Sequence, residues 1–133
     1  MTHFATSYIG LPWVAGGQGP DEFDCWGLVR FIEEHHYGLD IPAVNISPDN
    51  LRAVITEFTS NPIFKDFSEV KTPKDGDIVL MRQAKYPVHA GIWLDVDSGG
   101  VLHCVRKGGV IFQNQISLNL AGWFIDGFYR AIK

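Results

Sequence analysis

The stretch Phe23-Asp24-Cys25-Trp26-Gly27-Leu28-Val29-Arg30-Phe31-Ile32 predicts a loop-to-helix junction with a cysteine on its first turn. Glycine-rich residues 16–22 lead into it, and apolar residues at helical spacing lead out of it. Asp24 is the natural N-cap, because its carboxylate can accept from backbone N–H groups that open the helix. Those N–H groups favour an anion, so we expect the pKa of the Cys25 thiol to be lowered, as in a nucleophile. The alternative that Cys25 is a small buried apolar residue stays open at this point.

The composition is that of one globular domain. Hydrophobic residues make up 46% of the 133 residues and charged residues 20%, so intrinsic disorder is excluded and residues 1–133 are expected to form a single domain. The net charge is −4 and no stretch is rich in Lys or Arg, which argues against nucleic acid or an anionic membrane surface as the main partner. Two cysteines do not make a disulfide framework.

We expect no targeting signal at the beginning of the sequence. Residues 1–7 lack the basic region and the long apolar region of a secretory signal, and no window of about 18 apolar residues is present. We therefore expect synthesis in the cytoplasm without a signal peptide, and no membrane-spanning segment.

The predicted elements run from helices to strands. The helix from Cys25 should end near Tyr37, with Gly38 just after it. A second helix should start at Ser47-Pro48 and end before Asn61-Pro62, with Leu51, Val54, Ile55 and Phe58 facing inward. Strands are predicted over residues 64–70, 77–82, 88–94, 101–106, 110–113 and 128–132, with a short helix within residues 117–123. The short turns predict antiparallel pairing, so the fold class is α+β, with N-terminal helices packed on a central antiparallel sheet.

Three residues carry the pattern of a catalytic triad. Cys25 opens a helix, His89 lies at the head of one predicted strand, and His103 lies on the next. His89 would deprotonate Cys25, and His103 would hold the tautomer and orientation of His89. Two alternatives stay open: each histidine could be structural, or the three residues could bind Zn²⁺. The spacings lack the tight ligand pairs usual for zinc, so we expect no metal.

The motifs of this chain resemble those of the NlpC/P60 cysteine peptidases, in the family's own order. The matching segments are residues 10–17, 24–29, 76–80, 89–93 and 101–103. The resemblance implies a papain-like α+β fold. A thiolate–imidazole pair needs no metal, so we expect no cofactor. It also implies peptidoglycan peptides as substrates, usually cut between D-γ-glutamyl and diaminopimelate. By matching position, Cys25 is the nucleophile, His89 the base and His103 the third polar residue.

Two positions near the nucleophile are predicted to contact substrate. Many family members carry Tyr at the position of Trp13, where the hydroxyl is thought to face the substrate or the oxyanion. Trp offers one N–H donor and no acceptor, so the oxyanion role is in doubt here. The family residue that matches Asp24 can meet a substrate amine as well as cap the helix.

The Asp-Cys-Trp-Gly-Leu-Val form, the short single domain and the absent signal peptide most resemble the NlpC/P60 proteins of phage tails. The leading prediction is therefore a cell-wall endopeptidase incorporated in a phage or prophage tail, with tail proteins as further partners. Two alternatives remain: a structural tail-assembly protein without activity, and a secreted antibacterial amidase effector.

Other histidines and cysteines have ordinary roles in this interpretation. Cys104 follows His103, so on a strand it points to the opposite face and is expected in the core. His35 and His36 are neighbours on a helix and do not share a face, so they are expected to be exposed residues at its C-terminal end.

Overall fold

The computed structural model describes residues 3–41 and 51–131 of the chain. Helix α1 (Cys25–Tyr37) begins directly after Asp24, whose Oδ1 accepts the Gly27 N–H at 2.6 Å. It ends at Gly38, whose φ of 67° lies in the left-handed region that glycine adopts without steric cost. The predicted bounds of this helix are confirmed, and His35 and His36 are exposed on its last turn.

The described residues also form two further helices and two short 3₁₀ turns. Helix α2 (Leu51–Ser60) buries Val54, Ile55 and Phe58 as predicted. The predicted start at Ser47-Pro48 lies outside the described residues, as does the side chain of Leu51. Helix α3 (Gln115–Leu120) begins two residues before the predicted range, because Asn114 caps it by accepting from the Ser117 N–H. The 3₁₀ turns are Phe4–Ser7 and Pro62–Phe64.

Six strands form one antiparallel sheet. They are β1 (Phe67–Val70), β2 (Ile78–Arg82), β3 (Pro87–Leu94), β4 (Gly100–Val105), β5 (Gly109–Gln113) and β6 (Phe124–Ala131). The order across the sheet is β1-β6-β2-β3-β4-β5, and all neighbouring pairs are antiparallel. The α+β class and the β2–β5 meander are confirmed. The insertion of β6 between β1 and β2 is a long-range pairing that the local turns did not predict.

The sheet has apolar side chains on both faces, each in its own cluster. The larger cluster joins α1 and α2 to one face and includes Leu28, Ile32, Ile55, Leu80, Ile92 and Leu102. The smaller cluster joins α3 to the other face and consists of Val79, Met81, Val101 and Leu118 with partly buried aromatic neighbours. Because both faces are covered, the strands read as continuous apolar runs, with few polar interruptions.

One end of the sheet is tied to the loop that precedes α1. Strands β2 and β4 end there and β3 and β5 begin there, since neighbouring strands are antiparallel. The Val110 N–H donates to the Leu11 carbonyl and the Gly10 N–H donates to the Val110 carbonyl, both at 2.9 Å. Cys104 is fully buried in the core, as predicted, and its thiol contacts the Phe23 carbonyl at 3.4 Å. The start of α1 is thereby held against the heads of the central strands.

Within the described residues, we find no helix that is long and apolar enough to cross a membrane.

Candidate active site

A cavity of about 500 Å³ opens at this end of the sheet, where β3 begins and β4 ends. The lining residues include two thiols, an imidazole, two indoles and two guanidinium groups: Cys25, Cys104, His89, Trp13, Trp123, Arg52 and Arg106. Helix α1 supplies the Cys25 thiol from its first residue, and β3 supplies the imidazole near its start. The structure therefore brings the predicted nucleophile and the predicted base to one cavity.

A chain of hydrogen bonds runs away from the base through three side chains. His89 Nε2 lies 2.8 Å from His103 Nδ1, and His103 Nε2 lies 2.9 Å from Gln113 Oε1. The amide oxygen of Gln113 only accepts, so His103 must carry its proton on Nε2. His103 Nδ1 is then an acceptor, so His89 must carry its proton on Nε2. This direction leaves Nδ1 of His89 with a lone pair, which is the form that a general base requires.

The remaining nitrogen of His89 is available to the thiol. In residues 3–41 and 51–131, no hydrogen bond engages Nδ1 of His89. Helix α1, which Cys25 opens, packs against β3, and Cys25 and His89 line the same cavity. Thiol and imidazole are therefore neighbours in the cavity wall.

Burial sets the resting protonation states of this pair. Desolvation raises the pKa of the Cys25 thiol to about 12; the charge of Asp24 adds to the rise, and the backbone N–H groups of Ala90 and Trp26 oppose it. Burial, and then the neighbouring His103, hold the pKa of His89 well below its usual range. The predicted lowering of the Cys25 pKa is wrong for this structure, because only 1% of the side chain is exposed and the helix-start N–H groups are outweighed. The resting pair is a neutral thiol and a neutral imidazole.

The third residue of the chain is also held neutral. Burial lowers the pKa of His103 to about 4, and the hydrogen bond to Gln113 opposes that shift. A neutral His103 keeps a lone pair on Nδ1, as the hydrogen-bond direction requires.

Two side chains of this site were missed at the level of sequence. Gln113 ends β5, where the pairing of Val101 with Gln113 and of His103 with Ile111 places its side chain on the face of His103. Gln113 is a polar residue on the same face as His103 in an otherwise apolar strand, and this pattern could have indicated a contact between them. Trp123 precedes β6 and stacks on His89 with ring centroids 4.4 Å apart and planes at 21°. No spacing in the sequence pointed to that contact, which fixes the imidazole plane and covers one of its faces.

The two predicted substrate-contacting residues separate in the structure. Trp13 lines the cavity, and its ring lies under the guanidinium of Arg106, with the Arg106 Cζ 4.6 Å from the ring centroid. Asp24 is 3% exposed and is not among the residues that line the cavity. Its Oδ1 accepts from Gly27 and its Oδ2 accepts from the Gly16 N–H at 3.2 Å. The structure supports the capping role of Asp24 and does not support substrate contact.

The glycine-rich loop packs directly on the first turn of α1. The Asp24 N–H donates to the Gly17 carbonyl at 3.0 Å. A Cβ at position 27 would collide with the same carbonyl oxygen, so the close approach requires glycine there. This contact fixes the position of Cys25 relative to the cavity wall.

The geometry does not favour the zinc alternative. His89 and His103 direct ring nitrogens at each other, so these nitrogens do not converge on a common third point. Among the side chains that the structure describes, no group of three or more His, Cys, Asp or Glu is arranged to hold a metal ion.

The order of these elements is that of a known family. The sequence profile of the NlpC/P60 family matches residues 10–123. The chain belongs to the NlpC/P60 family. This NlpC/P60 chain is 25% identical over 124 residues to Protein P54 of Enterococcus faecium, covering 93% of the chain and 20% of that protein. It is 33% identical over 67 residues to the Gamma-DL-glutamyl hydrolase of Bacillus subtilis, covering 43% of the chain and 16% of that protein. The NlpC/P60 chain thus spans a fifth or less of the length of these two relatives.

A solved structure confirms the fold. The crystal structure of the NlpC/p60 domain of the peptidoglycan hydrolase SagA superimposes with a TM-score of 0.61 at 23% identity, covering 95% of this chain and 92% of that one. The papain-like α+β architecture expected of an NlpC/P60 protein is therefore present.

Proposed function

We propose that this NlpC/P60 chain is a cysteine hydrolase that cuts peptidoglycan stem peptides at the bond between D-γ-glutamyl and diaminopimelate. The observation that carries the proposal is the His89–His103–Gln113 hydrogen-bond chain, which leaves Nδ1 of His89 as a base in the cavity that Cys25 also lines. The similarity to a Gamma-DL-glutamyl hydrolase supports the γ-glutamyl side of the bond.

The proposed first half-reaction forms a thioester. Nδ1 of His89 takes the proton of the Cys25 thiol as the sulfur attacks the carbonyl carbon of the scissile bond. The resulting oxyanion is placed at the start of α1, where the backbone N–H of Cys25 can donate to it. His89 then gives its proton to the leaving amine, the C–N bond breaks, and the acyl group remains on sulfur.

The second half-reaction restores the enzyme. Water enters where the amine left, and Nδ1 of His89 takes one of its protons as the oxygen attacks the thioester carbon. The C–S bond breaks, the proton returns to the sulfur, and the product leaves as a carboxylic acid. In both halves the imidazolium is stabilised by its Nε2–H bond to His103, which Gln113 orients in turn.

The resting pKa values decide when the proton moves. The thiol pKa lies far above that of the imidazole, so the thiolate–imidazolium pair is a minor species in the free protein. Proton transfer is therefore expected together with attack, when the substrate carbonyl begins to accept charge.

The test is digestion of purified muropeptides, with products identified by mass spectrometry. The parent protein should release a fragment ending in D-glutamate and a fragment beginning with diaminopimelate. Cys25→Ala should release neither, while Cys104→Ala, a matched change at the second buried cysteine, should retain turnover. Equal activity of the parent and Cys25→Ala would refute the thiol mechanism.

A non-catalytic role is the second candidate, and one observation favours it. The raised pKa and near-complete burial of the Cys25 thiol are also what an inert structural cysteine would show. The digestion separates the two, since a structural protein leaves every muropeptide intact while the fold, followed by circular dichroism, is unchanged.

We also propose that the protein is incorporated in a phage or prophage tail, where tail proteins are its partners. This rests on the form of residues 24–29 alone. Mass spectrometry of purified particles from the host should detect its peptides in stoichiometric amounts with tail proteins. Their absence from intact particles would contradict the assignment.

A further inference from the structure

Two arginines share the cavity with His89. Arg52 comes from α2 and lies over Tyr86 of the β2–β3 loop, and Arg106 directly follows β4. Among the described residues that line the cavity there is no Asp or Glu. The described lining residues therefore carry two cationic side chains and no anionic one.

Each guanidinium lies over an aromatic ring. The Cζ of Arg52 lies 3.6 Å from the ring centroid of Tyr86, and the Cζ of Arg106 lies 4.6 Å from that of Trp13. Cation–π attraction restrains a guanidinium in this position, and the edge of a guanidinium can meet a carboxylate through two parallel N–H bonds. A lysine at either position would supply the charge without this geometry.

The proposed substrate carries carboxylates on both sides of the scissile bond. A γ-linked glutamyl residue uses its side-chain carboxyl for the bond, so its α-carboxylate remains free. Diaminopimelate has two carboxyl groups and presents at least one of them on the other side. A neutral cavity would have to strip water from these charges without replacing it, which is costly.

We propose that Arg52 and Arg106 each bind one of these carboxylates, so the site selects stem peptides in which both are free rather than amidated or absent. The inference rests on the proposed function, because it names the substrate groups that the same cavity would bind. It assigns a specificity role to two residues that do not take part in bond cleavage.

The test is calorimetric binding of three peptides to the Cys25→Ala protein, which cannot turn them over. The peptides are L-Ala-γ-D-Glu-diaminopimelate, the same peptide with the glutamyl α-carboxyl amidated, and the same peptide with lysine in place of diaminopimelate. Each change should weaken binding by about 10-fold to 100-fold, the range of a charge-assisted hydrogen bond. The Arg52→Gln and Arg106→Gln proteins should each lose one preference. In each of them, one of the two peptide changes should no longer weaken binding. Lys107→Gln, the same loss of charge at an exposed neighbour, should keep both preferences.

The outcomes separate this inference from the proposed function. If the preferences appear but the parent protein cleaves no peptide, the proposed hydrolysis fails and the carboxylate site stands. If the parent cleaves the peptide but binds all three equally, the carboxylate site is overturned. It is also overturned if none of the peptides binds, or if the arginine variants weaken all three by one factor. Should a glutamine variant not fold, Arg52→Lys and Arg106→Lys, which keep the charge, should still lose part of the preference.

Discussion

The amide of Gln113 should control which nitrogen of His89 is a base, although it lies two hydrogen bonds away from that nitrogen. In Gln113→Leu, the Nε2–H of His103 loses its acceptor. His103 can then move its proton to Nδ1, which forces His89 to accept on Nε2 and to carry its own proton on Nδ1. The base would then present a proton to the thiol rather than a lone pair.

The magnitude follows from the burial of His103, which has no measurable exposed surface. Leucine offers no acceptor, so the variant leaves the His103 donor unpaired or changes the tautomer. Either outcome costs about 1–3 kcal/mol, which corresponds to a loss in kcat/KM of about 5-fold to 150-fold. In Gln113→Glu the acceptor is kept and a negative charge is added, so the pKa of His103 should rise and the acid limb of the rate profile should move to higher pH.

Two measurements report on this reasoning independently. Long-range ¹⁵N NMR should show His89 protonated on Nε2 in the parent and a mixture of tautomers in Gln113→Leu, while peptide hydrolysis reports kcat/KM. Gln115→Leu, the same change at an exposed residue of α3, is the matched control. If Gln113→Leu keeps the parent tautomer and stays within twofold of the parent activity, the hydrogen-bond chain does not determine which nitrogen of His89 is the base.

Three further predictions concern the triad, the cap and a buried carboxyl. His89→Ala should abolish hydrolysis. His103→Asn should lose about 10²-fold in activity, and His103→Ala should lose more. Equal activity of His103→Ala and the parent would show that His103 is not part of the site. Asp24→Asn keeps the cap oxygen but removes the charge that raises the thiol pKa, so the pH midpoint for alkylation of Cys25 by iodoacetamide should fall; an unchanged midpoint would contradict this. Burial raises the pKa of Glu33 to about 8, above its unfolded value near ~4.3, so stability should fall by about 1.4 kcal/mol per pH unit as pH rises between those values. Glu33→Gln should lack this decline in Tm between pH 5 and 8, and parallel curves for the two proteins would rule it out.

The parts of the fold that were predicted correctly depend on residues that are close together in the sequence. Helix α1 has a capping Asp24 and a left-handed Gly38, and both act within a few residues of the helix ends. The central strands have continuous apolar runs separated by short turns, so their existence and antiparallel pairing follow from neighbours in sequence. Cys25, His89 and His103 are the predicted catalytic residues, and each lies at a recognisable place in such an element.

The features that were missed depend on contacts between distant residues. Gln113 meets His103 only because β4 and β5 pair in one register, and Trp123 reaches His89 from the loop after α3. The raised pKa of Cys25 depends on how completely the surrounding elements exclude water, which no local pattern encodes. The predicted substrate contact of Asp24 also depended on a distant residue. Its second carboxylate oxygen accepts from the Gly16 N–H across the loop rather than facing the cavity.

The position of β6 also affects the order in which the strands can pair while the chain is being synthesised. The β2–β5 meander can pair as soon as it leaves the ribosome, but β1 has no partner in the sheet until residues 124–131 arrive between it and β2. The same late segment is preceded by Trp123, the ring that covers one face of His89. A nascent chain therefore contains Cys25 and His89 before it contains the ring that covers one face of His89, and its sheet gains β1 only when β6 has been made.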